Sequence, residues 1–218
     1  MFDPLWRWVN SSLIRLSPEN PFPAAVEDSW EAVLWVLGEG KQTLSLNTSK
    51  MATGGSSAGA NLAAIMFQRA ATQGNAKFSL QLLSVPVMDN SADVTNNTSW
   101  KDNQYAPALP APKMLWYRHH YLPNKEDWVN PEASPLFWKG NWSKLPPACF
   151  VLGELDVLRS EGEQFGKKLQ DAGVKAEINI MKGQPHPFIA MDAALQDGSR
   201  AITLFCDALH QTMYSEWK

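Results

Sequence analysis

The sequence predicts an α/β protein with a mostly parallel sheet and helices on both faces. After residue 50, short apolar runs alternate with amphipathic helical segments, a pattern typical of a parallel sheet that is covered on both sides. The chain has 218 residues, of which 44% are hydrophobic and 19% charged, so it can bury one large core. These observations favour a single domain over residues 1–218.

Each predicted element rests on its residue spacing. The first helix, over residues 24–37, has apolar residues at helical intervals, acids in its first turn and glycines after its end. Further helices are predicted over residues 57–69, 113–121, 161–172 and within 192–213. Strands are predicted where apolar residues run together or alternate, over residues 51–54, 78–88, 148–152 and 175–181.

A long insertion, residues 91–147, separates two of the predicted strands. It begins with a polar, irregular stretch and three prolines, which exclude a continuous regular element. Trp128, Trp138 and Trp142 follow its one aromatic helix. Because connections of this length are uncommon unless they serve as lids or binding loops, we predict a cap-like or pocket-lining insertion.

Composition and charge exclude several classes of function. With 19 basic and 22 acidic residues the net charge is −3, which excludes a strongly basic nucleic-acid-binding surface. No apolar run reaches the roughly 18 residues that cross a bilayer, and residues 1–8 lack the pattern of a signal peptide. A cytoplasmic location is therefore expected. Cys149 and Cys206 are too few for a disulfide framework and are expected to be buried free thiols.

Gly55-Ser56-Ser57-Ala58-Gly59 forms a G-x-S-x-G motif at a predicted strand-to-helix junction. Its glycines permit a tight turn that lifts the Ser57 hydroxyl off the sheet edge. The helix that begins there directs backbone N–H groups toward an incoming anion. The alternative is a glycine-rich turn with an inert serine, and we predict that Ser57 is a nucleophile.

A serine nucleophile needs a general base, and the base needs an acid that orients it. After a G-x-S-x-G serine, the acid and then the histidine are expected in loops that follow later strands. Asp156 follows the strand at 148–152, and His186 follows the strand at 175–181. Their joint placement favours this pair, while Glu154 stays open as an alternative acid.

The other histidines are weaker candidates for chemistry. His119 and His120 are adjacent on a predicted helix, so their side chains point about 100° apart and cannot readily share one metal ion. His210 lies on the last predicted helix, far in sequence from any strand end. No histidine–cysteine spacing indicates zinc and no phosphate-binding loop is present, so neither a metal nor a cofactor is expected.

Four blocks of the sequence resemble the hormone-sensitive-lipase-like branch of the α/β-hydrolases, particularly its fungal carboxylesterase-like members. The blocks occur in the family's order, at residues 15–28, 54–64, 153–162 and 183–188. The resemblance implies an α/β-hydrolase fold with Ser57 as nucleophile, Asp156 as acid and His186 as general base. It also implies that the backbone N–H of Ala58 is one oxyanion donor.

The sequence departs from this family at its start. Family members carry a His-Gly-Gly-Gly-type loop before the first block, whose amides supply further oxyanion donors, and the fourteen residues before Arg15 hold no such run. Loss of one such donor typically costs about 10²–10³ in turnover. The resemblance thus implies an N-terminally shortened sheet. Residues 51–54 would then form an open strand edge, which invites pairing with a second copy.

The leading hypothesis is a serine hydrolase that cleaves small apolar carboxylic esters, with Trp116, Tyr117 and Phe188 lining the substrate pocket. One alternative is a non-hydrolytic dehydratase, lyase or cyclase of a small natural product, acting in secondary metabolism on the same scaffold. The other is a non-catalytic shortened homologue. A small ester or natural-product substrate and a homodimer through the open edge are the partners expected, with no nucleic acid and no membrane span.

Overall fold

A computed structural model describes residues 11–214 of the chain. In this part the strands form one four-stranded sheet in the order β1-β2-β3-β4, and every neighbouring pair is parallel. The strands are β1 (Ala52–Ser56), β2 (Leu80–Ser84), β3 (Ala148–Leu155) and β4 (Ala176–Pro185). The predicted parallel α/β class is therefore confirmed. The prediction that residues 1–8 are not a signal peptide concerns positions that lie outside the described residues.

The α-helices of the described residues include one near each predicted position. They are α1 (Ala24–Leu37), α2 (Glu39–Thr43), α3 (Ala58–Gln73), α4 (Thr98–Asp102), α5 (Ala111–Tyr121), α6 (Arg159–Asp171) and α7 (Gln196–Tyr214). Short 3₁₀ helices occupy Lys125–Val129, Pro135–Phe137, Trp142–Lys144 and Phe188–Met191.

The structure departs from the predicted elements at two places. The strand predicted over residues 78–88 ends at Ser84, because Val85 adopts a φ of +39° and Pro86 has no N–H to donate. Helix α4 forms in a stretch predicted to be irregular. Its start is capped by the side chain of Asn97, which accepts hydrogen bonds from the N–H groups of Ser99 (3.1 Å) and Trp100 (3.4 Å).

Helices cover both faces of the sheet, as predicted. Phe150 of β3 packs in a buried cluster with Phe67 of α3 and Phe165 of α6. The next residue, Val151, points to the opposite face and packs in a cluster with Ala201 of α7. The central strand is therefore apolar on both sides, which explains why residues 148–152 read as an uninterrupted apolar run.

Strand β1 lies at the edge of the sheet and pairs with β2 alone among the described strands. Each residue of β1 is at least partly exposed, whereas four of the five residues of β2 are buried. The open edge expected next to the serine is thus present in the described part of the chain. Its pairing with a second copy stays a prediction.

The insertion packs against the loop between β3 and α6. Trp100 of α4, Met114 of α5 and Leu109 before α5 share a buried cluster with Val157 and Leu158 of this loop. The insertion is thereby joined to the segment that contains Asp156. A cap-like role for residues 91–147 stays a prediction.

The prediction that both cysteines are buried free thiols is confirmed for one of them. Cys149 is buried in β3, whereas Cys206 is exposed on α7, so the expectation of a buried thiol was wrong for Cys206. Among residues 11–214, no helix combines the length and apolarity that crossing a membrane requires. The same part of the chain holds no group of three His, Cys, Asp or Glu side chains placed to share a metal ion.

Candidate active site

Ser57 occupies a sharp turn between the end of β1 and the start of α3. Its φ of +55° and ψ of −116° lie outside the regions that non-glycine residues normally adopt. The surrounding backbone holds this conformation: the Ser57 N–H donates to the carbonyl of Ser84 at 2.9 Å, and the Ser57 carbonyl accepts from Asn61 at 3.0 Å. A strained backbone fixed from two sides is typical of functional positions.

Two glycines before the serine allow close backbone contacts, Gly55 with α3 and Gly54 with β2. A Cβ atom on Gly55 would lie 2.4 Å from the carbonyl carbon of Gly59, and one on Gly54 would lie 2.4 Å from the carbonyl oxygen of Leu82. In contrast, a Cβ atom on Gly59 would meet no heavy atom within 4 Å. The close approach of strand to helix therefore requires glycine at the first glycine of the motif, not at the second.

The three side chains predicted to carry chemistry are in hydrogen-bond contact. His186 Nε2 lies 2.9 Å from Ser57 Oγ, and His186 Nδ1 lies 2.8 Å from Asp156 Oδ2. When the neutral ring carries its hydrogen on Nδ1, it donates to the carboxylate and accepts from the hydroxyl. The contacts join residues 129 and 30 positions apart in the sequence. This arrangement can move a proton from the serine to the imidazole.

The acid lies at the buried end of this chain of contacts. The Asp156 side chain is fully buried, and that of His186 is 13% exposed. The second carboxylate oxygen of Asp156 accepts from the N–H of Leu158 at 3.0 Å, at the start of α6. A carboxylate shielded from water and held at both oxygens keeps the imidazole in one orientation.

His186 follows directly after β4 and is anchored by the residues around it. Phe188, two positions later, is fully buried among Val85, Val151, Met181 and Ala201 of the core. On the other side, Gln184 Nε2 donates to Asp197 of α7 at 3.0 Å. The loop that presents the histidine is therefore tied to both the core and the last helix.

The alternative acid, Glu154, points elsewhere. Its carboxylate accepts from Lys182 Nζ at 2.8 Å and from the N–H of Gly183 at 2.8 Å. The ammonium of Lys182 holds the pKa of the Glu154 carboxyl below its usual range. Glu154 thus pairs with β4 at the surface, and the carboxylate in contact with His186 is that of Asp156.

Ala58 is exposed at the N-terminus of α3, directly after the serine. The first N–H groups of a helix precede its internal hydrogen-bond ladder and face outward with a partial positive charge. The backbone at Ala58 is therefore suited to receive a negatively charged oxygen. These N–H groups lie next to Ser57 in the chain because α3 begins at Ala58, directly after the turn.

The residues predicted to line a substrate pocket are placed differently from one another. Phe188 is fully buried in the core, and the structure gives its side chain a packing role. Trp116 and Tyr117 are 57% and 46% exposed on α5, with ring centroids 5.2 Å apart. They form an exposed aromatic surface on the insertion, which also includes the ring of His120, 4.2 Å from that of Trp116.

Glu161 is a buried polar residue that the motifs did not reveal. It lies in α6 and accepts from the N–H of Met88 at 2.8 Å and from Trp100 Nε1 at 3.3 Å. Burial raises the pKa of the Glu161 carboxyl to about 8, against the opposing effect of these hydrogen bonds. In the sequence it resembles an ordinary acid in a first helical turn, because its burial depends on the distant residues of the insertion.

A parallel sheet, a strand–turn–helix around a partly exposed serine, and a histidine and an aspartate from later loops together define the α/β-hydrolase class of protein. A family described by its α/β-hydrolase fold matches residues 10–190. The chain belongs to this family, as its sequence blocks led us to expect.

Similar proteins include enzymes named as esterases. An α/β-hydrolase superfamily protein of Schizosaccharomyces pombe is 48% identical over 188 residues, covering 84% of this chain and 54% of the relative. The esterase LipI of Mycobacterium tuberculosis is 32% identical over 203 residues, covering 90% of this chain and 61% of the relative. A hyperthermophilic esterase of Pyrobaculum calidifontis matches in structure with a TM-score of 0.83 and 32% identity, covering 90% of this chain and 63% of the other. The chain thus spans about half to three fifths of the length of these relatives.

Proposed function

We propose that this protein is a serine carboxylic-ester hydrolase that acts on small, mostly apolar esters. The observation that carries the proposal is the continuous hydrogen-bond chain from Ser57 Oγ through His186 to the buried Asp156. Relatives named as esterases support the choice of esters as substrates. Esters of small apolar acids suit a site whose insertion carries exposed aromatic side chains.

In the first half of the reaction Ser57 Oγ attacks the ester carbonyl carbon while its proton moves to His186 Nε2. The carbonyl π electrons move to oxygen and form an oxyanion. When the intermediate collapses, the bond to the alcohol oxygen breaks and the imidazolium returns the proton to the departing alkoxide. The products of this half are the free alcohol and an acyl ester of Ser57.

In the second half of the reaction water is the nucleophile and Ser57 is the leaving group. His186 Nε2 accepts a proton from water as the water oxygen attacks the acyl carbon, and the bond to Ser57 Oγ then breaks. The imidazolium returns its proton to the serine, and the carboxylic acid departs. Atoms and protons balance with ester and water as the only reactants.

Asp156 raises the efficiency of both halves without touching the substrate. Its carboxylate, 2.8 Å from Nδ1, fixes the tautomer that leaves Nε2 free to accept a proton. It also stabilises the positive charge that the ring carries in each intermediate. Because the carboxylate is fully buried, this electrostatic interaction is only weakly screened by solvent.

The oxyanion is received by the backbone at the start of α3. The donor that we propose is the N–H of Ala58, because this residue directly follows the nucleophile and is exposed. The fixed geometry of the turn means that little reorganisation is needed as the charge develops. Trp116 and Tyr117 are proposed to contact the apolar part of the ester.

The proposal is tested with p-nitrophenyl acetate and butyrate and with a fluorophosphonate that labels activated serines. We expect hydrolysis of both esters, and covalent label that peptide mapping by mass spectrometry locates on Ser57. Ser57→Ala should abolish turnover and labelling, whereas Ser143→Ala, exposed on the 3₁₀ helix at Trp142–Lys144, should change neither. Folded protein that takes no label at Ser57 excludes the proposed function.

A second arm separates hydrolysis from other chemistry on this scaffold. If turnover of a substrate persists after complete labelling of Ser57 but disappears in His186→Ala, the histidine acts without the serine. That outcome contradicts an acyl-enzyme mechanism and favours a lyase or dehydratase reaction.

A further inference from the structure

The backbone that carries Asp156 lies at an irregular end of β3. Pairing between β3 and β4 is regular as far as Gly153 and then shifts register before Leu155. Where a strand leaves its ladder, buried carbonyl groups need other hydrogen-bond donors. Part of those donors comes from the insertion, more than 50 residues earlier in the sequence.

Asn103, immediately after α4, supplies two of these donors. Its side-chain Nδ2 donates to the carbonyl of Glu154 at 3.2 Å and to the carbonyl of Asp156 at 3.1 Å. The residue is only 9% exposed, so water cannot easily take over its role. One amide group therefore joins the backbone on both sides of Leu155, directly at the acid.

Ser99, on α4 itself, makes further hydrogen bonds to the backbone after Asp156. Its hydroxyl donates to the carbonyl of Val157 at 2.6 Å and accepts from the N–H of Ser160 at 3.0 Å. The Ser160 hydroxyl in turn accepts from the N–H of Ser99 at 3.1 Å. The side chains of the insertion thus hold the backbone from residue 154 to residue 160.

Glu161 secures α4 in this position. It accepts from the indole N–H of Trp100, while its other oxygen accepts from the N–H of Met88 in the loop after β2. Trp100 is fully buried between these partners. Helix α4 is consequently fixed against α6 and cannot shift without breaking buried hydrogen bonds.

We propose that Asn103 is a positioning residue for the acid: by holding the carbonyls of Glu154 and Asp156, it aims the Asp156 carboxylate at His186 Nδ1. The inference rests on the proposed function only for its kinetic consequence, because the Asp156–His186 contact can be observed without a substrate. It gives the insertion a second role, in building the proton-transfer chain.

The test compares Asn103→Leu, which keeps the side-chain shape and removes both donors, with Asn124→Leu on an exposed loop as the matched control. The readout is the low-field proton resonance of His186 Nδ1–H in protein with ¹⁵N-labelled histidine, assigned with His186→Gln. We expect the resonance to shift or to be lost by exchange in folded Asn103→Leu and to stay unchanged in the control.

The kinetic arm measures ester hydrolysis in the same variants. We expect kcat of Asn103→Leu to fall about tenfold to a hundredfold while KM stays within about twofold, because the misaligned acid affects proton transfer and not substrate contact. A folded Asn103→Leu protein whose His186 resonance and kcat both match the wild type overturns the inference.

Two further outcomes are also decisive. If Asn103→Leu does not fold, Asn103→Ala removes the same two donors with a smaller side chain, and an unchanged His186 resonance in that variant contradicts the inference. If wild-type protein shows the resonance but hydrolyses no ester, the proposed function fails, while the effect of Asn103→Leu on the resonance still decides the positioning role.

Discussion

The serine and the acid of the candidate site are positioned in different ways. Ser57 is held mainly by its neighbours in sequence, Gly55 and the first turn of α3, at a strained φ of +55°, with one further hydrogen bond to Ser84 of β2. Asp156 is held by side chains from an insertion more than 50 residues away, among them Asn103. A position built from local backbone geometry leaves a motif in the sequence, and a position built from distant side chains does not.

The largest effect is expected at the acid itself. Asp156→Asn keeps the size of the side chain but presents an amide to His186 Nδ1, which favours the wrong tautomer. We expect kcat for p-nitrophenyl butyrate to fall by about 10⁴. Glu154→Gln is the matched control, because that carboxylate pairs with Lys182 and not with the histidine. If the two variants lose activity equally, Asp156 is not the acid.

The next largest effect is expected at Gly55, in the turn that carries Ser57. Gly55→Ala places a Cβ atom 2.4 Å from the backbone of Gly59, so β1 or α3 must move. Overpacking of this kind typically costs about 1–3 kcal/mol, and we expect a lower free energy of unfolding by urea denaturation together with reduced hydrolysis. Gly59→Ala, whose new Cβ atom has open space, should fold with near wild-type stability. Equal losses in the two variants would contradict the strand–helix argument.

Glu161, which fixes α4 near Asp156, is expected to make the stability of the folded protein depend on pH. Burial raises the pKa of its carboxyl to about 8 from an ordinary value of 4.5, so folded protein keeps a proton that unfolded protein releases. Stability from this group is therefore fully present below about pH 4.5 and is lost as the pH rises toward about 8. The expected slope is at most about 1.4 kcal/mol per pH unit.

Urea denaturation at several pH values between 5 and 9 measures this slope. Glu161→Gln cannot titrate, so its stability should be lower at acidic pH but should change less across the same range. Parallel curves for wild type and variant would show that another group is responsible for the pH dependence.

The same contrast explains what the sequence could and could not predict. Ser57 was predicted from its G-x-S-x-G motif. Asp156 and His186 were predicted because each follows an apolar strand, and parallel strands bring their carboxyl ends to one edge. The end of β2 at Ser84 was missed because the positive φ of Val85 has no signature in a β-branched residue.

Sequence signals were least reliable for residues whose surroundings depend on contacts between distant segments. Asn103 and Glu161 look like ordinary polar residues until α4 packs on α6, since burial is created by contacts between segments. Phe188 was expected near the substrate because it is aromatic and close in sequence to His186, but its side chain is buried in a core cluster with Val151 and Ala201. Sequence adjacency indicates where a residue lies and leaves the direction of its side chain open.

The smallest effect is expected at the aromatic surface of the insertion. Trp116→Ala removes an exposed ring proposed to contact the acyl chain, so the preference for p-nitrophenyl butyrate over acetate should fall by up to about tenfold in kcat/KM. The change should appear in KM, because Trp116 takes no part in proton transfer. Trp35→Ala on α1, where the side chain is 42% exposed, is the matched control and should leave the preference unchanged. An equal change in both variants, or none in either, would place the acyl-binding surface elsewhere and restrict the role of the insertion to positioning Asp156.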